Sequence, residues 1–146
     1  MVVTFVGIGL LAVMACMGPA GADATADALA AAMAADARHD YATELRLVRP
    51  LAERGDAKAQ FLLGEMYREG QGVPQDDAET LRWLRKAAEQ GYVGAQTNLG
   101  TMYATGRGVP RDDVEAVRWF RKAAEQEFAL AQHHLGVMYA THRRAR

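Results

Sequence analysis

Two pairs of adjacent carboxylates, Asp76-Asp77 and Asp112-Asp113, are the residue types of metal binding and acid–base catalysis. Each pair opens an amphipathic run, where an aspartate caps the free N–H groups of a starting helix, and capping explains them with fewer assumptions. His133-His134 are metal-ligand types, but neighbours on a helix point ~100° apart and cannot close on one ion. His39 is remote, and no cysteine lies nearby. Gly70-x-Gly72 has phosphate-loop spacing without the G-K-[ST] that must follow. The chain has no serine, and its one cysteine, Cys16, lies near the start. No nucleophile–base pair can therefore be assembled from the rest, and no internal disulfide can form. Trp83 and Trp119 read as core and not as a stacking platform for a ligand. The Arg143-Arg144-Ala145-Arg146 tail reads as a solvated end. Lys and Arg total 17 against 18 Asp and Glu, a net charge of −1, which argues against nucleic acid as a partner. The expectation is a protein with no catalytic residues, no metal and no cofactor.

The elements that must position everything else begin after a leader. Val2 to Met17 is a 16-residue apolar run, shorter than the ~20 residues that span a membrane. Small residues follow, with an A-x-A site at Ala20–Ala22, so residues 1–22 read as an export leader. No Lys or Arg precedes the run. Val13-Met14-Ala15-Cys16 is similar to a lipobox, which makes Cys16 the one possible lipidation site. A retained membrane anchor is the third reading, against which Gly7, Gly9, Gly18, Pro19 and Gly21 speak, and all three place the folded part outside the cytoplasm, in the periplasm or secreted, with membrane contact only through leader or lipid. Alanine occurs 29 times and isoleucine once, a composition that favours helix over sheet.

Self-similarity sets the architecture. Residues 57–92 and 93–128 are two 36-residue units that agree at 21 positions without a gap. Residues 129–146 restart the unit and stop halfway, and 40–56 match its second half. Residues 23–39 are Ala-rich and predict an N-terminal capping helix. Each unit reads as two helices. Helix A spans about Ala57–Glu69, with Leu63, Met66 and Tyr67 as its buried stripe. Gly64 recurs inside it as Gly100 and Gly136, which predicts a neighbouring helix too close for a side chain. Gly70 ends it, and Val73 plugs the loop. Helix B opens at Asp76, with Asp76 and Glu79 forming a capping box that Asp112 and Glu115 repeat. Its inner stripe is Trp83, Leu84, Ala87 and Ala88. Pro50 predicts a kink or a late start in the upstream helix B. Neither helix buries its stripe alone, so successive hairpins must stack.

The segments AKAQFLLGEMY (Ala57–Tyr67), Gly70–Asp76 and W-L/F-R-K-A-A-E-Q (Trp83–Gln90, Trp119–Gln126) resemble the Sel-1-like repeat family, a relative of the tetratricopeptide repeats. The resemblance covers about residues 40–146. It implies an all-α fold, an α/α solenoid of helical hairpins in a right-handed superhelix, whose curved groove binds protein or peptide. Departures are His142 and Arg144 in place of the two loop glycines, and Glu127 in place of Gly91. The branch of the family with one disulfide per repeat is excluded, because the repeats contain no cysteine.

Positions that differ between copies are free to serve a partner. On helix A they are Lys58/Gly94/Leu130, Phe61/Thr97/His133, Glu65/Thr101/Val137 and Arg68/Ala104/Ala140. Their spacing of three, four and three puts them on one face. The candidate binding residues are Lys58, Phe61, Glu65, Arg68, Thr97, Thr101 and His133, with Phe61 expected as an exposed anchor. The functional reading is a non-enzymatic interaction module of the cell envelope. The alternatives are a fragment or assembly unit of a longer repeat protein, and a cell-wall or β-lactam hydrolase. Leu135, Met138 and Tyr139 would be half covered, an edge that invites end-to-end self-association.

Overall fold

The computed structural model describes residues 20–144. They form seven helices, and no strand occurs among the described residues: α1 (Ala20–Asp36), α2 (Tyr41–Glu53), α3 (Ala57–Glu69), α4 (Asp77–Glu89), α5 (Val93–Thr105), α6 (Asp113–Ala124) and α7 (Ala129–Arg144). Residues 1–19, which include Cys16 and most of the expected leader, lie outside the described residues. No described helix is long and apolar enough to cross a membrane.

The helix ends follow from single residues. Asp56 caps α3 by accepting from the Ala59 N–H at 2.8 Å. Asp76 caps α4 from the Ala78 and Glu79 N–H groups, and Asp112 does the same for α6. The expected capping box is only half made. Glu79 turns forward instead, accepting from the Trp83 indole at 3.0 Å and pairing with Arg82. The Asp76 N–H, which Glu79 would have served, donates to the Tyr67 carbonyl across the loop. Gly70 (φ 70°) and Gly106 (φ 74°) stop α3 and α5 in the left-handed conformation, as expected of C-terminal glycines. The third copy has His142 at that position, and α7 runs on to Arg144 instead of stopping at the equivalent Thr141. Pro50 does not delay its helix: α2 starts at Tyr41, capped by Asp40, and Pro50 sits in its last turns. The N–H that Pro50 lacks would have served the Arg46 carbonyl, well past the first turn, so the start of the helix does not depend on it. Glu127 takes φ 60°, a conformation its equivalent Gly91 adopts without a side-chain clash.

Each helix packs on the next in sequence, so the fold is a linear stack of hairpins. The interior is correspondingly a chain of cores. The first joins Ala32 of α1, Val48 and Leu51 of α2, Leu63 and Met66 of α3, and Trp83 of α4. The second begins one residue later, at Leu84, and continues through Ala87, Ala88, Ala95, Leu99, Met102 and Trp119. Helix α4 therefore contributes adjacent residues, Trp83 and Leu84, to two different cores. Leu63, Leu84 and Leu99 are all at most 1% exposed, each worth ~1.5–3 kcal/mol of burial. Val73 and Val109 plug their loops against these cores.

The glycines inside helix A mark close crossings. A Cβ on Gly64 would lie 3.1 Å from Leu84, and one on Gly100 would lie 2.7 Å from the Phe120 ring. Two sets of hydrogen bonds tie the stack together. The amide of Gln60 donates to the Ala52 carbonyl and accepts from Gln90; Gln96 likewise donates to Ala88 and accepts from Gln126. On another side, Arg85 donates to the Tyr103 hydroxyl at 2.7 Å and Arg121 to that of Tyr139 at 2.8 Å.

Candidate binding surface

The face read from the sequence starts at Lys58, whose ammonium lies 3.1 Å from Met33 Sδ on α1. Phe61 is not the exposed anchor expected. It is half-buried in the second core and packs on the Tyr92 ring, 4.9 Å between centroids. A Cβ on Gly94 would meet that same ring at 3.3 Å. Large Phe61 against small Gly94 is packing complementarity across a repeat junction, so the variation between copies here is not freedom. Thr97 is also removed from the exposed set: it is 2% exposed, and its hydroxyl donates back to the Val93 carbonyl.

The remaining positions form a polar strip. Glu65 and Arg68 make a two-point ion pair, and Arg68 also reaches Glu69 at 2.8 Å. Hydrogen bonding to Glu65 holds the Arg68 guanidinium above its ordinary pKa. Asn98 of α5 donates to Glu65 at 2.8 Å, and Arg107 donates to the Arg68 carbonyl at 3.1 Å. The strip thus links α3 to α5. Thr101, which is exposed, continues it, with its hydroxyl donated to the Thr97 carbonyl and its lone pairs free. On α7 the same face carries exposed His133, together with Leu130 and Val137, which are 51% and 47% exposed. His133 and His134 rings are edge-on, 5.9 Å apart, and His134 stacks on Phe120 at 5.1 Å. Structure therefore brings Glu65, Arg68, Thr101 and His133 to one side of the stack, half-buries Phe61 at a repeat junction and buries Thr97.

Glu44 is the residue that sequence reading passed over. It is 3% exposed, and its Oε2 has no hydrogen-bond partner. Burial, reinforced by the Asp36 charge, pushes its carboxyl up to about 7. The signal was available: aligned copies carry Thr80 and Ala116 at this buried position. Among the described residues no group of three or more His, Cys, Asp or Glu is placed to hold a metal ion.

A stack of paired helices with one side left to the solvent defines an α/α solenoid. Its repeats are Sel1 repeats, and the chain is a Sel1-repeat protein: the model of that family matches residues 57–92 and 93–128. Among solved structures, the chain is similar to a Sel1 repeat protein from Oxalobacter formigenes, with 35% identity and a TM-score of 0.71. It covers 74% of this chain and 44% of that one. A protective antigen of uropathogenic Escherichia coli strains, displaying an SLR fold, matches with 45% identity and a TM-score of 0.63. That match covers 65% of this chain and 20% of the antigen. The chain thus spans less than half the length of either. No curated protein matches the chain. Sel1 repeats generally mediate protein–protein association.

Proposed function

We propose that the chain is a non-enzymatic binding module that holds a protein or peptide segment along the helix-A side of its stack. The observation that carries this is the strip from Glu65 and Arg68 through Thr101 to His133, Leu130 and Val137. It crosses the helix A of three successive units, α3, α5 and α7, and carries charged, hydroxyl and apolar groups. A strip of this kind supplies apolar area for affinity and polar groups for selectivity. The bonds from Gln60 to Ala52, from Gln96 to Ala88 and from Arg121 to Tyr139 join neighbouring hairpins and hold it in one shape before the partner arrives, which lowers the ordering cost of binding. Export by the leader, with cleavage after Ala22 or lipidation of Cys16, puts this module in the cell envelope.

Photo-crosslinking side chains introduced at Thr101, at His133 and at Val114 test the reading in the producing cells. Val114 is 78% exposed on α6, away from the strip. Defined adducts are expected from Thr101 and His133 and not from Val114. Equal yields at all three positions would reject the helix-A side as the binding surface. Mass analysis of the N-terminus of the same material checks the export step, and an intact Met1 would refute it.

A further inference from the structure

One buried position recurs on α2, α4 and α6, and only its first copy can carry a charge. The residues there are Glu44, Thr80 and Ala116. Thr80 donates its hydroxyl to the Asp76 carbonyl, and the Ala116 side chain has nothing to satisfy. Thr80 and Ala116 lie one turn before Leu84 and Phe120, the residues that rest on Gly64 and Gly100 of the preceding helix A. Glu44 likewise lies one turn before Val48, which shares a core with Ala32 of α1. Glu44 is therefore held between α2 and α1, with its buried Oε2 unpartnered.

Helix α1 is poorly equipped to hold an ionised Glu44. Its charged residues are Asp23, Asp27 and Asp36, all acidic, and Asp36 is the charge that acts on Glu44. The cations of the surrounding elements are directed elsewhere. Arg38 of the turn and Arg46 act on Asp40, which caps α2. Arg49 reaches the Tyr67 hydroxyl, and His39 and Gln71 meet at that of Tyr41. Glu53 and Arg54 lie at the far end of α2. On α3, Lys58 lies against Met33 Sδ, and Arg68 pairs with Glu65 and Glu69. Packing by α1 is modest too. Its sealed side chains are Ala32 and Ala35, with Thr25, Ala28 and Leu29 half-buried. Two sealed methyl groups and part of a leucine are a small counterweight to a buried, unpaired carboxylate.

We propose that α1 is latched by the proton on Glu44: the neutral carboxyl lets it rest on α2, and ionisation releases it while the later hairpins stay stacked. They stay because Thr80 and Ala116 carry no charge at the same position and each hairpin leans on its neighbours. The folded carboxyl ionises at about 7, against an ordinary 4.5. The hold on α1 is thus complete below about pH 4.5, weakens as pH rises towards 7, and weakens no further above it. Release uncovers the face of α2 that bears Glu44 and Val48, and it frees Lys58 from Met33.

Amide exchange of the intact protein, resolved by segment and corrected for its intrinsic pH dependence, tests this at about pH 5.5 and about pH 7.5. Protection of α1 is expected to fall about tenfold or more across that interval, and at the higher pH to lie about tenfold or more below that of α5. Glu44→Gln, which mimics the neutral acid, is expected to keep α1 protected at both pH values. Should that variant fail to fold, Glu44→Thr, with the residue type that α4 carries, takes its place with the same expectation. His39→Asn suits the left-handed turn and is expected to retain the full change. Unchanged protection of α1 in the natural chain overturns the proposal. Equal protection of α1 and α5 at the higher pH would mean that the stack opens as one, and overturns it as well. A change that persists without the Glu44 carboxyl, or vanishes in His39→Asn, would assign the titration to another group and overturn it equally.

Discussion

Gly100 and Gly136 have the same identity and opposite physical roles. A methyl group at Gly100 falls 2.7 Å from the Phe120 ring, which cannot yield without moving α6 against α5. Gly100→Ala is therefore expected to destabilise by about 1–3 kcal/mol. Gly136→Ala meets open space and gains helix propensity, so a rise of about 1 kcal/mol is expected. Urea unfolding of the two variants measures both, and equal effects would contradict the crossing described. Glu44 makes a second residue-scale test. Its folded pKa of about 7 lies above the ordinary 4.5 of a glutamate, so the folded chain holds a proton that the unfolded chain releases first. Stability is thus fully present below about pH 4.5, falls as pH rises towards 7, and is level above it, with a loss on the order of 1–3 kcal/mol. Glu44→Thr, which installs the residue type of Thr80, is expected to remove that loss. Unfolding curves at pH 5 and pH 8 decide it: an unchanged pH response in the variant would show that Glu44 is not the titrating group.

At the scale of the element, the helices were legible because their ends are marked by single residues of known effect. Asp40, Asp56, Asp76 and Asp112 begin them, and Gly70 and Gly106 end them. The capping box was misread because Glu79 had a competing donor, the Trp83 indole, that only the folded turn presents. Joining the elements falls to the glutamines, and Gln96 is the clearest case. It is nearly inaccessible, and its amide satisfies the Ala88 carbonyl while accepting from Gln126. Gln96→Ala strands both groups, and a loss of about 1–3 kcal/mol is expected. Gln132→Ala is expected to change stability by less than about 0.5 kcal/mol, because that side chain is exposed and reaches Ala124 only at 3.4 Å. Denaturation midpoints of the two variants compare the same chemistry in covered and uncovered copies.

For the whole molecule, cohesion passes from neighbour to neighbour, since each helix packs on the next and α4 serves two cores. The sequence alone determined the all-α class, the 36-residue period and the residues facing inward, because each depends on local spacing repeated along the chain. Tertiary structure decided which varying positions are accessible. Phe61 and Thr97 differ between copies as a solvent-facing position would, yet Phe61 is half-buried at a repeat junction and Thr97 is buried. Comparing repeats with each other aligns equivalent positions and is blind to the neighbour across the junction. Phe61 is large because Gly94 beside it is small, and that relation exists only once the two hairpins are stacked.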